Sequence, residues 1–105
     1  MLIVTTDYIS GYELEMIGVV KGGVVKSKNA FQDIGAGLKT LVGGELRAYT
    51  DMMNEARDLA THRMVEEAMN LGADAVVNVR YASSAIMQGA SEIMAYGTAV
   101  RAIKK

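Results

Sequence analysis

The stretch Glu45-Leu-Arg-Ala-Tyr49-Thr-Asp51-Met-Met53-Asn-Glu55-Ala56-Arg57-Asp58-Leu-Ala60-Thr-His62-Arg-Met64-Val-Glu66-Glu-Ala68-Met-Asn-Leu71-Gly72 decides how this chain folds. Tyr49, Met53, Ala56, Ala60, Met64, Ala68 and Leu71 recur at a spacing near 3.6, and Met52 and Leu59 widen the stripe. The opposite face carries Arg47, Asp51, Glu55, Asp58, His62 and Glu66. Glu45 places a negative charge at the positive end of the helix dipole, and Gly72 stands where a helix end wants a residue without a Cβ. The pattern predicts one long amphipathic helix over 45–71 whose apolar stripe packs on a sheet.

The sheet has to come from the flanks. Downstream, 74–84 reads as a strand, with Val77, Val79 and Tyr81 alternating against Asn78 and Arg80. A turn about Gln88-Gly89-Ala90 separates it from a second strand over 91–103. That strand is apolar on both sides: Met94, Tyr96 and Val100 on one, Ile93, Ala95, Gly97, Ala99 and Ile103 on the other. Helices on one face leave the other bare, and the chain has nothing left to cover it, so another copy of the chain is the expected cover. A charge at Ala99 is then expected to break the assembly before it unfolds the subunit.

Upstream, 2–5 is short, apolar and β-branched, hence a strand, and Ser10-Gly11 marks a turn. Residues 12–25 read as one long bulged strand, with a hairpin turning at Gly22-Gly23 as the alternative. Asn29 with Gln32 has capping-box spacing, and Phe31, Ile34, Leu38, Leu41 and Val42 follow at helical intervals up to Gly43-Gly44. The element order is β-β-α-α-β-β: a single α+β domain over 1–105, an antiparallel sheet with helices on one face.

Composition narrows the function. Among 105 residues, eleven basic and twelve acidic side chains give a net charge of −1, with Lys and Arg scattered, which argues against nucleic acid as a partner. There is no cysteine, so thiolate nucleophiles and thiolate metal sites are excluded and a reducing compartment fits. No run approaches the ~20 apolar residues of a membrane span, and the N-terminus lacks the basic and apolar regions of a signal peptide. The expected location is the cytoplasm.

Several motifs resemble the YbjQ-like family, whose members are described as heavy-metal-binding. These are Gly43-Gly44-Glu45 with Tyr49 and Ala56-Arg57, the run 71–81 (Leu71-Gly-Ala-Asp-Ala-Val-Val-Asn-Val-Arg-Tyr81), Tyr96-Gly-Thr-Ala-Val100 and the opening Val4-Thr5-Thr6. The resemblance covers essentially the whole chain. It implies a dodecin-like subunit assembled into a ring, typically of five copies. It implies no defined activity, and the metal-binding description sits oddly with no cysteine and one histidine.

Two candidate sites follow. Asp58, His62 and Glu66 stand at i, i+4 and i+8 on one helix face, where imidazole and carboxylate suit a divalent ion such as zinc. Three ligands down one helix cannot surround an ion, so a second element or subunit has to close the site, and a solvated helix face is the plainer reading. Glu45, Tyr49 and Arg57 are the polar members of the family-like segment and form a candidate pocket for a small anion or metabolite. Their plainer roles are a helix cap, a packed ring and an ion pair. Gly43-Gly44 lacks the surroundings of a phosphate loop, and Ser83, Ser84 and Ser91 lack a histidine base. The sequence thus predicts a non-enzymatic homo-oligomer, with a divalent metal or small ligand at subunit interfaces. A structural or protein-interaction module is the alternative, and an enzyme with an inter-subunit site comes third.

Overall fold

The computed structural model of the chain describes residues 1–26, 44–87 and 90–105, without the side chains at 26, 44–46, 48, 49, 86, 87 and 90. The expected helix over 29–42 and the turn residues Gln88 and Gly89 lie outside the described residues. Within them the chain runs β1 (Leu2–Ile3), β2 (Tyr12–Lys26), α1 (Gly44–Asn70), β3 (Ala75–Met87) and β4 (Ala90–Lys104). The four strands make one sheet in the order β1-β3-β4-β2. The sheet is mixed rather than antiparallel. β1 pairs parallel to β3 through Leu2↔Ala75 and Ile3↔Val76, because the chain returns along α1 and starts β3 at the end where β1 began.

Helix α1 ends as its sequence requires. Gly72 takes φ +77°, Ala73 N–H donates to Ala68 O at 3.1 Å, and Gly72 N–H donates to Met69 O at 3.0 Å. These two bonds close a Schellman motif and satisfy carbonyls that the helix end leaves open. Ala56, Ala60, Met64 and Ala68 are buried against the sheet, with Met53 packed beside them. Leu59 and Leu71 are exposed, so the buried stripe is narrower than the sequence pattern suggested.

Residues 12–26 form one strand, not a hairpin, with a bulge between Met16 and Gly18. The glycine pair belongs to packing. A Cβ on Gly22 would strike the Ala60 carbonyl oxygen and the Met64 amide, so the missing side chain is what lets α1 lie on β2. Gly97 in β4 is similarly enclosed: a Cβ there would come within 2.8 Å of Val76 Cγ1 and 2.9 Å of Val77 O.

β3 departs from simple alternation. Its register to β4 shifts between Val77 and Arg80, and Asn78 adopts φ 55°, a left-handed conformation that asparagine tolerates better than most residues. The bulge puts Val77 on the face away from α1 and Val79 on the helix face, so the two valines do not share a side as the sequence suggested. The N-terminal segment braces this irregularity. Asn78 N–H donates to Thr6 O at 2.9 Å, Val79 N–H to Val4 O at 3.0 Å, and Arg80 Nη1 to Thr5 O at 3.0 Å.

Ile93, Ala95 and Ala99 of β4 face the helix in the main core with Val20, Val24 and Val76. Ala99 is therefore inside the chain's own core, which corrects the expectation that this row meets a second copy. The opposite face has a small cluster of its own: Ala75, Val77 and Val100, packed under Val4, Ile9 and Leu14. The chain thus covers part of that face itself, with the residues around the Ser10-Gly11 turn, where Gly11 takes φ +82°.

Candidate functional site

The helix places the predicted site residues at different depths. Glu45 and Tyr49 fall in its first turns, and their side chains lie outside the described residues. Arg57 comes two turns later, half-buried, on the edge of the stripe that Met53 and Ala60 define. Asp58 follows directly and is exposed, because neighbouring helical positions point about 100° apart. His62 and Glu66 are one turn apart on the solvent face. Their Nε2 and Oε2 atoms lie 3.9 Å apart, with side chains 71 % and 66 % exposed.

Among the described residues, no three His, Asp or Glu side chains converge on a point where an ion could sit. The structure brings together His62 and Glu66 and does not add Asp58 to them. The described residues therefore bring two such donors together here, short of the four that zinc takes in a closed site.

Arg57 lies in a more developed setting. It lines a cleft of about 160 Å³ with Met53 from its own helix, Tyr81, Ala82 and Ser83 from β3, and Ile93 from β4. The register explains the wall: Tyr81 pairs with Ala95 and Ser83 with Ile93, which puts both polar side chains on the helix face. Arg57 donates through Nη2 to Asn54 Oδ1 on the preceding turn. Among the described residues no carboxylate forms an ion pair with it, so the expected acid partner within the chain is not found there.

A short hydrogen-bond chain fixes the cleft from below. Thr61 Oγ1 donates to the Arg57 carbonyl at 2.8 Å, the usual back-bond of a helical threonine. The same Oγ1 lies 2.8 Å from the Tyr81 hydroxyl, a contact in which either oxygen can donate. Sequence reading missed Thr61, Tyr81 and Ser83 as partners of Arg57. The one available signal was that Tyr81 and Arg57 both fall in family-like motifs; that they line one cleft is a tertiary feature of residues 24 positions apart in the chain.

A second cleft, about 230 Å³, opens on the other side of the molecule between Leu2, Ile9, Tyr12, Asp74, Ala75 and Ala102. Its carboxylate is engaged, since Asp74 Oδ2 accepts from Ala102 N–H at 2.9 Å. Among the described residues, no helix is long and apolar enough to cross a membrane.

Among the described residues, fold and sites together define a two-layer α+β protein, with a long helix on a four-stranded mixed sheet. Comparison with known proteins supplies the family. Residues 1–103 match the YbjQ family model, described as "Putative heavy-metal-binding", and the chain belongs to that family. A UPF0145 protein of Clostridium novyi is 65 % identical over 101 residues, covering 96 % of this chain and 98 % of the relative. A UPF0145 protein of Thermosipho africanus is 58 % identical over 106 residues, covering 100 % and 97 %. These names carry no enzymatic activity. The fold is also similar to a crystal structure of a protein of unknown function, of the DUF74 family, from Pediococcus pentosaceus. The TM-score is 0.64 at 18 % identity, with 96 % of each chain covered.

Proposed function

We propose that the protein is a non-enzymatic, cytoplasmic homo-oligomer, a ring of five copies, that binds a small ligand. One observation carries the oligomeric part. On the sheet face away from α1, Val19 is 73 % exposed, Met16 63 % and Val25 59 %, and Tyr96 stands open between them. The register puts these side chains on the same face of β2 and β4, with Thr98 opposite Val19, Lys21 opposite Tyr96 and the buried Val100 opposite Met16. Large apolar side chains exposed together on one sheet face call for a cover. The dimensions support the same reading. The radius of gyration is 16.8 Å, whereas a compact domain of this length has about 13 Å. Strands of 15 residues reach about 50 Å, longer than the roughly 40 Å of α1, the helix among the described residues.

Light scattering tests this, with a mass near five subunits expected at micromolar concentration. A monomer would overturn it. Val19→Glu places a charge on the open face and is expected to split the assembly while leaving the subunit folded.

The family description and the His62–Glu66 pair favour a second reading, a divalent metal held between copies. Without thiolates the softer ions lose their preferred ligand, so zinc bound weakly by imidazole and carboxylates is the expected form. Further ligands have to come from neighbouring copies. Calorimetric titration of zinc, with His62→Ala as control, separates the outcomes: tight binding that survives the substitution places the site elsewhere.

A further inference from the structure

We propose that the cleft between α1 and β3 is a binding site for a small organic carboxylate with a short apolar body, its head taken by Arg57. This deepens the ligand-binding part of the reading above and rests on it for the class of protein, though not for the number of copies.

The argument starts from the guanidinium. It is half-buried at the rim of an apolar cleft, and its one hydrogen bond among the described residues uses a neutral acceptor, Asn54. Only one of its five N–H donors is thereby engaged, and no described acid neutralises its charge. A planar fork of donors in such a place matches a carboxylate in bidentate geometry.

Charge and lining set the orientation. The head goes to Arg57 and the body toward Met53, Ala82 and Ile93, the apolar lining residues, with the Ser83 hydroxyl on the β3 wall.

Size sets the class. Drug-sized ligands occupy pockets of about 300–1,000 Å³, so about 160 Å³ suits a fragment of a few carbons. A phosphate would fill the charged end and leave the apolar end empty.

Saturation-transfer NMR on the wild-type protein tests this, with butyrate as probe, n-butylamine as the cationic analogue and inorganic phosphate as competitor. Butyrate is expected to bind with a Kd of about a millimolar, as a ligand of its size allows. Arg57→Ala is expected to weaken it roughly ten- to hundredfold, as loss of a charged hydrogen-bond partner does. If Arg57→Ala fails to fold, Arg57→Gln, which keeps much of the stem, must show the same loss. Butylamine binding as well as butyrate, an unchanged affinity in the Arg57 variant, or phosphate displacing butyrate at lower concentration than butyrate itself binds would each overturn the proposal. So would disassembly of the Arg57 variant in light scattering, because the arginine would then hold a neighbouring copy. A wild-type monomer that still binds butyrate would sink the ring and leave this site standing.

Discussion

The two faces of the sheet use similar side chains to opposite ends. Under α1, Val20, Val24, Val76, Val79 and Ile93 are closed off by a helix stripe of alanines and one methionine, Met64, fully buried at 0 % exposure. On the other face, Val77 and Val100 are buried by the N-terminal segment, while Val19, Val25 and Met16 stand open. Burial here follows from what the chain can place overhead, not from hydrophobicity. Among the described residues, the helix face is covered within the chain, whereas the other face is covered at one end only.

That contrast can be broken at its tightest point first. Gly22→Val drives a side chain into the Ala60 carbonyl and the Met64 amide, both backbone atoms that cannot rotate away. Chemical denaturation is expected to show a loss at or above the upper end of the ~1–3 kcal/mol usual for overpacking. A loss under ~0.5 kcal/mol would mean that α1 lifts freely from β2. Met64→Ala comes next, with an expected cost of ~2–5 kcal/mol for a large buried side chain truncated in place. Ala99→Glu belongs with these two: it buries an unpaired charge in the helix-side core and is expected to unfold the subunit rather than merely separate copies.

Smaller effects sharpen the comparison. Asn78→Ala is expected to cost about 1–2 kcal/mol, because alanine lacks asparagine's tolerance for the left-handed bulge that sends Val77 and Val79 to opposite faces. Asn78→Gly is expected to cost less than Asn78→Ala in the same denaturation series, and the reverse order would show that the side chain rather than the backbone matters. On the open face, Val19→Glu is expected to change subunit stability by no more than ~0.5 kcal/mol, measured where the chain is already dissociated, while abolishing assembly. A large loss of subunit stability there would show that Val19 is covered within the chain.

The candidate site was legible only in part. Arg57 stood out only as a polar member of the family-like segment; the cleft it lines is a tertiary feature, built from residues of α1, β3 and β4. Thr61 and Ser83 carried no signal, because a hydroxyl in a helix and one in an exposed strand are ordinary until a hydrogen bond or a shared wall gives them a role. The Asp58-His62-Glu66 row shows the limit of helical spacing as evidence. Positions i, i+4 and i+8 share a face, yet the structure joins only the His62–Glu66 pair.

By itself, the sequence determined α1 from its 3.6-residue spacing to its Gly72 stop and the β3–β4 pair, since local periodicity and capping are written in neighbouring residues, but it left 12–25 open between one bulged strand and a hairpin, which the pairing with β4 decides. It also showed that β4 is apolar on both sides. Only the tertiary structure decided which of those sides the helix takes, that β1 runs parallel to β3, and that a bulge at Asn78 divides Val77 from Val79. Those depend on register, and a shift of one residue exchanges the faces of a strand without changing its composition.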